Sequence, residues 1–141
     1  LKSKFAHLVK QEIVWFNRSQ NFDKIRFYPM TERVYWLVKD PKTKMFNAIN
    51  HHDVFDAKDW KPEGTKGEFK RAFPIKMVED ILSCFENAKI VLDCFMGSGT
   101  TAIACINTNR QYIGFELDTN YFNIANKRIS EHHEQLKIVG D

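Results

Sequence analysis

Apolar residues are spaced in three different ways along this chain, and each spacing predicts a different element. Ile90-Val91-Leu92 is a continuous apolar run, which suits a strand covered on both faces of a parallel sheet. A second strand is predicted over Gln111 to Phe115. Glu12 to Asn17 and Glu32 to Lys39 are rich in β-branched and aromatic residues, and the latter alternates Val34, Trp36 and Val38 against Arg33, Tyr35 and Leu37. Joined by one loop, these two predict an antiparallel pair at a sheet edge. Helical spacing takes over at Pro74, where Val78, Ile81, Leu82 and Phe85 recur at i, i+3, i+4 and i+7, predicting a core-facing helix to about Glu86. Proline at its start costs nothing, because that N–H has no helical partner. Further helices are predicted over Thr100 to Ile106 and over Asn120 to His133. The last of these has Asp118 or Thr119 as cap, with stripes of Tyr121, Ala125, Arg128 and Phe122, Ala125, Ile129. Leu136 to Asp141 reads as the start of another strand, and residues 1 to 10 as a helix end or linker remnant. Residues 40 to 72, bracketed by the turn signals Asp40-Pro41 and Pro62-Glu63-Gly64, show no period and read as irregular.

Candidate chemistry gathers where the continuous run ends. Asp93 follows Leu92, and Gly97-Ser98-Gly99 can form a tight turn that lets a ligand approach the backbone before the next helix begins. Strand, glycine turn and helix in that order make a nucleotide-type cradle. Gly97, Gly99 and Ala102 also fit the dinucleotide pattern G-x-G-x-x-G/A, but a carboxylate at the strand end would repel a pyrophosphate. The same carboxylate suits a ligand carrying an ammonium and a sulfonium, as S-adenosylmethionine does. Glu116 closes the second strand 23 positions after Asp93, where an acid can accept hydrogen bonds from both ribose hydroxyls of an adenosine. A nicotinamide-dependent oxidoreductase is the weaker reading, for want of an evident catalytic acid.

Taken together, these segments resemble a known family. Ala72-Phe73-Pro74 opening the helix to Leu82, then Asp93-Cys94-Phe95-Met96-Gly97-Ser98-Gly99-Thr100-Thr101, then Gly114-Phe115-Glu116 and Tyr121, are similar in order and distance to the amino-methylating DNA methyltransferases of the β motif order, adenine-N6 or cytosine-N4. Two departures stand out: Cys94 replaces the family's usual proline, and Phe69-Lys70 replaces a His-Pro. The resemblance implies an α/β fold, a partial Rossmann-like sheet of the S-adenosylmethionine-dependent methyltransferase type with an antiparallel edge hairpin. It divides the chain into residues 1–39 (hairpin), 40–72 (a short target-recognition or DNA-contact loop) and 73–141 (cofactor-binding part). It implies a cofactor site of Phe73, Pro74, Asp93, Cys94, Phe95, Met96, Gly97, Ser98, Gly99, Thr100, Glu116 and Leu117. Double-stranded DNA is the implied partner, with Arg26, Phe27 and Tyr28 near the target base and Lys61, Lys66, Lys70 and Arg71 on phosphates. For the aromatics a core role, and for the cations a solvated loop, stay open as alternatives. A restriction-modification setting follows from the resemblance, and a cognate endonuclease or a homodimer is left open by it.

The family's catalytic tetrapeptide, Asp, Asn or Ser followed by Pro-Pro and an aromatic, does not occur in these 141 residues. The chain therefore reads as the C-terminal part of a methyltransferase, adenine N6 preferred, able to bind cofactor but not to methylate DNA alone. A non-catalytic half that needs a partner chain is the other reading.

Composition narrows the setting. A hydrophobic content of 43% with 28% charged residues is ordinary for a globular protein, and the absence of a membrane-length apolar run or signal pattern leads to a cytoplasmic expectation. Cys84, Cys94 and Cys105 are odd in number and lack C-x-x-C spacing, so reduced thiols are expected rather than disulfides or zinc. His51-His52-Asp53 and His132-His133 lack a third ligand at usable spacing, and no metal site is expected. The net charge of +3 is uneven: residues 1–72 hold 15 Lys/Arg against 9 Asp/Glu, and residues 73–141 hold 6 against 9. That imbalance suits a polyanion on one part and a cationic cofactor on the other, or merely a solubilising surface.

Overall fold

The structure is a computed structural model that describes residues 5–17, 25, 30–44, 52–60 and 72–139. The chain divides into two compact units, Leu1–Lys61 and Pro62–Asp141.

The first unit is a three-stranded sheet. β1 (Val9–Phe16) lies between β2 (Thr31–Leu37) and β3 (Val54–Asp56), and a short 3-10 helix, Ala6–Leu8, precedes it. β1 and β2 pair antiparallel with Ile13 opposite Val34 and Trp15 opposite Glu32, so the expected hairpin forms. Period-two alternation buries Ile13 and Trp15 on one face. β3 corrects the reading of residues 40–72 as irregular: it pairs parallel to β1, with Val14 opposite Val54. Three residues are too few to show a period, and what fixes them is the partner. Phe55 stacks on Trp60 with ring centroids 3.7 Å apart, burying the indole as a plug beside the strand.

In the second unit β4 (Ile90–Asp93) and β5 (Gln111–Gly114) pair parallel, with Leu92 opposite Ile113 and Asp93 opposite Gly114. Three helices accompany them: α1 (Ile75–Ser83), α2 (Thr100–Asn107) and α3 (Thr119–Val139). Pro74 is the extended residue just before α1 and is fully buried. Leu82, Ala104 and Cys105 form one core cluster with Val78, Val91 and Tyr112 against it, and Ala102, Ile103 and Ile129 form a second with Ile75 and Tyr112. Val91 and Tyr112 thus turn to the helices. On the opposite face Ile90, Leu92 and Ile113 are 60%, 58% and 51% exposed, so the described helices of this unit cover one side of the strand rather than the two expected. A further correction concerns residues 136–139, which continue α3 rather than begin a strand. Leu136 and Ile138 are exposed, and residues 140 and 141 lie outside the described residues. Leu136, Lys137, Ile138 and Val139 simply extend a helix already nucleated upstream.

Arg110 fastens the far end of this unit. Its guanidinium donates to the carbonyls of Ala88 (3.0 Å), Thr108 (3.1 Å) and Leu82 (3.0 Å), and so ties the end of α1, the turn before β4 and the end of α2 to the start of β5. Those carbonyls lie at and just beyond helix ends, and one planar cation with five donors serves several of them. Replacing Arg110 by alanine is expected to lower stability by about 2–4 kcal/mol, since several part-buried, charge-assisted bonds go together. Urea titration of the two proteins measures it.

Candidate functional site

Every element around the glycine turn helps to hold it. β4 and β5 end side by side, and the ladder runs on past them: Phe115 N donates to the Asp93 carbonyl and Met96 N to the Phe115 carbonyl, each at 2.9 Å. Asp93 Oδ1 accepts from Phe95 N at 3.0 Å, an Asx turn that starts the bend. Met96 then folds over Gly114 so closely that a Cβ there would run into its sulfur. Any larger residue at 114 displaces Met96, which is itself buried.

Gly99 is the N-cap of α2 with φ 80°, a left-handed conformation that favours glycine, and an added Cβ would lie 3.2 Å from Ala125 Cβ on α3. Ile103 N donates to the Gly99 carbonyl, so the amides ahead of it at the start of α2 have no acceptor within the helix. Ser98 and Thr100 are buried, their hydroxyl oxygens 3.3 Å apart. The start of α2 is thus lined by small polar groups and unclaimed helical donors.

Glu116 completes the arrangement. One carboxylate oxygen accepts from Gly97 N and the other from Asp118 N, both at 2.9 Å, so the acid that ends the second strand leans back onto the glycine turn. Each oxygen has a second lone pair, so two hydroxyls can still be received. Asp118 caps α3 as expected, its Oδ1 accepting from Asn120 N at 2.8 Å and Tyr121 N at 3.1 Å.

Asp93, Cys94, Phe95, Met96, Gly97, Ser98, Gly99, Thr100 and Glu116 therefore form one connected site, with Phe95 (89% exposed) and Leu117 (100% exposed) standing out beside it. Phe73 is half exposed, and Pro74 lies next to Ile75, which packs on Ala102 and Ile103 at the same end of α2. Arg26, Phe27, Tyr28, Lys61, Lys66, Lys70 and Arg71 lie outside the described residues. Sequence reasoning missed the structural part played by Arg128, which donates to the Ser98 carbonyl at 2.7 Å. A cation within an apolar helical stripe was the available signal.

A parallel strand pair, a glycine turn at its carboxyl end and an acid just past the neighbouring strand are the parts from which α/β folds build nucleotide-type sites. The family is narrower than that class. The model of the N6/N4 DNA methylases matches residues 2–127, and the chain belongs to that family. It is 49% identical over 72 residues to the orphan methyltransferase M.BamHII of Bacillus amyloliquefaciens, covering 48% of this chain and 27% of that protein. To the type II methyltransferase M.HinfI of Haemophilus influenzae it is 26% identical over 142 residues, covering 87% of this chain and 40% of that one. Among solved structures, the M1.HpyAVI–SAM complex aligns with TM-score 0.67 and 34% identity over 86% of this chain and 62% of that one. PvuII DNA methyltransferase (cytosine-N4-specific) aligns with TM-score 0.69 and 21% identity over 91% of this chain and 57% of that one, a likeness of fold. The chain spans less than two thirds of each of these proteins.

The cysteines differ sharply in accessibility. Burial raises the thiol pKa of Cys84, and that of Cys105 too, where the Arg110 guanidinium offsets part of the rise, while Cys94 is exposed in the turn. A thiol reagent at neutral pH is expected to label Cys94 in the folded protein and all three cysteines after denaturation. Mass spectrometry of the labelled peptides checks this.

Proposed function

We propose that the chain forms the S-adenosylmethionine-binding part of a site-specific DNA methyltransferase that modifies an exocyclic amine, adenine N6 preferred and cytosine N4 the alternative. The observation that carries this reading is the Glu116 carboxylate resting on the Gly97 amide, which brings a ribose-type acceptor and a close-approach turn into one site. The donor set fits the ligand. Glu116 would receive the ribose hydroxyls, Asp93 and the amides at the start of α2 would hold the ammonium and carboxylate of the methionine end, and the exposed Phe95 and Leu117 would flank the adenine. When bound, S-adenosylmethionine supplies a methyl group already activated by sulfonium. The protein's task is alignment, and most of the rate comes from positioning the acceptor amine in line.

The acceptor amine needs a partner from the tetrapeptide that this sequence does not hold. A specific observation supports a further polypeptide segment as its source. The exposed Ile90, Leu92 and Ile113 face belongs to a parallel pair, and parallel sheets are covered on both faces. In this reading Arg26, Phe27 and Tyr28 serve the target base and Lys61, Lys66, Lys70 and Arg71 the phosphates of double-stranded DNA, with the cytoplasm as the place of action. A cognate endonuclease and a homodimer are compatible with it.

Calorimetric titration with S-adenosylmethionine tests the assignment. Saturable binding is expected, weakened about tenfold or more in Glu116→Ala by the loss of charge-assisted bonds. A folded protein that binds none, or an alanine variant with unchanged affinity, sinks it. The chain alone is expected to leave duplex DNA unmethylated, and adding a polypeptide that carries the tetrapeptide is expected to restore incorporation of labelled methyl groups.

A further inference from the structure

The site described so far is a turn between two strands and a helix, yet its shape is also set from outside by α3. Two residues one helical turn apart do this. Ala125 stands against Gly99, where an added Cβ would meet it at 3.2 Å, and Arg128 reaches the Ser98 carbonyl at 2.7 Å. Residues i and i+3 share a helix face, so the contact and the hydrogen bond act on successive residues of the turn from the same side.

The consequence lies in the peptide that joins Ser98 to Gly99. Its N–H donates to the Met96 carbonyl at 2.9 Å, and its C=O receives Arg128, so both ends of the peptide dipole are fixed. The Gly97 amide is fixed in turn by Glu116. With those orientations set, the donors at the start of α2 keep one direction. Without the guanidinium, the Ser98 carbonyl sits in a buried turn with its strongest donor gone, and the peptide is free to rotate toward another one. Glycine at 99 makes such a rotation easy.

We infer that Arg128 is a positioning residue for the cofactor: through the Ser98 carbonyl it fixes the turn that aims the amides at the start of α2, which receive the methionine end of S-adenosylmethionine. The inference rests on the proposed function and adds to it a residue that no motif includes. Arg128 acts at the amino-acid end of the ligand, whereas Glu116 acts at the ribose.

The test compares wild type, Arg128→Ala and Arg128→Lys by calorimetry with two ligands, S-adenosylmethionine and 5′-methylthioadenosine, which keeps the adenosine and lacks the amino-acid portion. Thermal midpoints are measured alongside. Arg128→Ala is expected to bind S-adenosylmethionine roughly tenfold to a hundredfold more weakly, the loss of one charge-assisted bond, while its affinity for the truncated ligand changes less than about twofold. Arg128→Lys is expected to recover part of the loss, since an ammonium can donate to the same carbonyl without the guanidinium's fork. Equal weakening for both ligands, an alanine variant that binds like wild type, or a lysine variant no better than alanine overturns the inference. If Arg128→Ala does not fold, or if wild type binds only the full cofactor, the lysine variant decides: it must bind more weakly than wild type and stay folded. Wild-type protein that binds no S-adenosylmethionine sinks the proposed function, and this inference with it; normal wild-type binding with an indifferent Arg128→Ala sinks this inference alone.

Discussion

The hydrogen bond from the Gly97 amide to the Glu116 carboxylate adds a side-chain tie between two stretches of chain whose strand pairing covers four residues and a short extension of the ladder. A two-stranded sheet is marginal in water by itself, and a short parallel pair has evenly spaced but slanted bonds that hold it less firmly than an antiparallel one. Side-chain fastening at both ends compensates. At one end Glu116 takes a turn amide and a loop amide in its two oxygens, and at the other Arg110 collects carbonyls from the ends of both flanking helices. The charges are complementary in what they do: the anion gathers backbone donors where the strands finish, and the cation gathers backbone acceptors where they begin. Both are half-buried, where a charge-assisted bond is stronger than in water.

Helix α3 adds a constraint of shape. Gly99 takes its left-handed conformation because it has no Cβ, and Ala125 packs against the side from which a Cβ would project. Small residues on both sides bring the backbone of the turn close to the helix, close enough for Arg128 to reach over and donate. Met96 above Gly114 repeats the arrangement one strand away. The glycines of this site are therefore matched to particular partners, which is a stricter requirement than flexibility.

Much of this was legible in the sequence because the strongest local signals coincide with the site. Ile90 to Leu92 followed by Asp93 and Gly97-Ser98-Gly99 gave strand, bend and helix start almost to the residue, and Glu116, two residues past β5, leans onto that bend. What was not legible depended on partners distant in sequence. β3 exists because β1 offers it a ladder, and residues 136–139 are helical because a longer helix runs into them. Arg110 and Arg128 gave no motif: each works through backbone carbonyls, and a carbonyl is present at every residue, so nothing in the sequence marks which one a cation will find.

The exposed face of β4 and β5 makes the same point about the whole molecule. A continuous run such as Ile90-Val91-Leu92 carries the pattern of a strand with cover on both sides, and the described helices cover one. Exposing Ile90, Leu92 and Ile113 costs free energy in proportion to their apolar area, about 25 cal/mol for each Å² left wet. Helix packing offsets that cost on the Val91 and Tyr112 side alone. An apolar face flanked at one end by a cofactor-type turn and extended by exposed Phe95, Phe115 and Leu117 is therefore a surface shaped for contact. Covering such a face, by whatever segment, would remove that cost, as the two-sided burial of parallel strands requires.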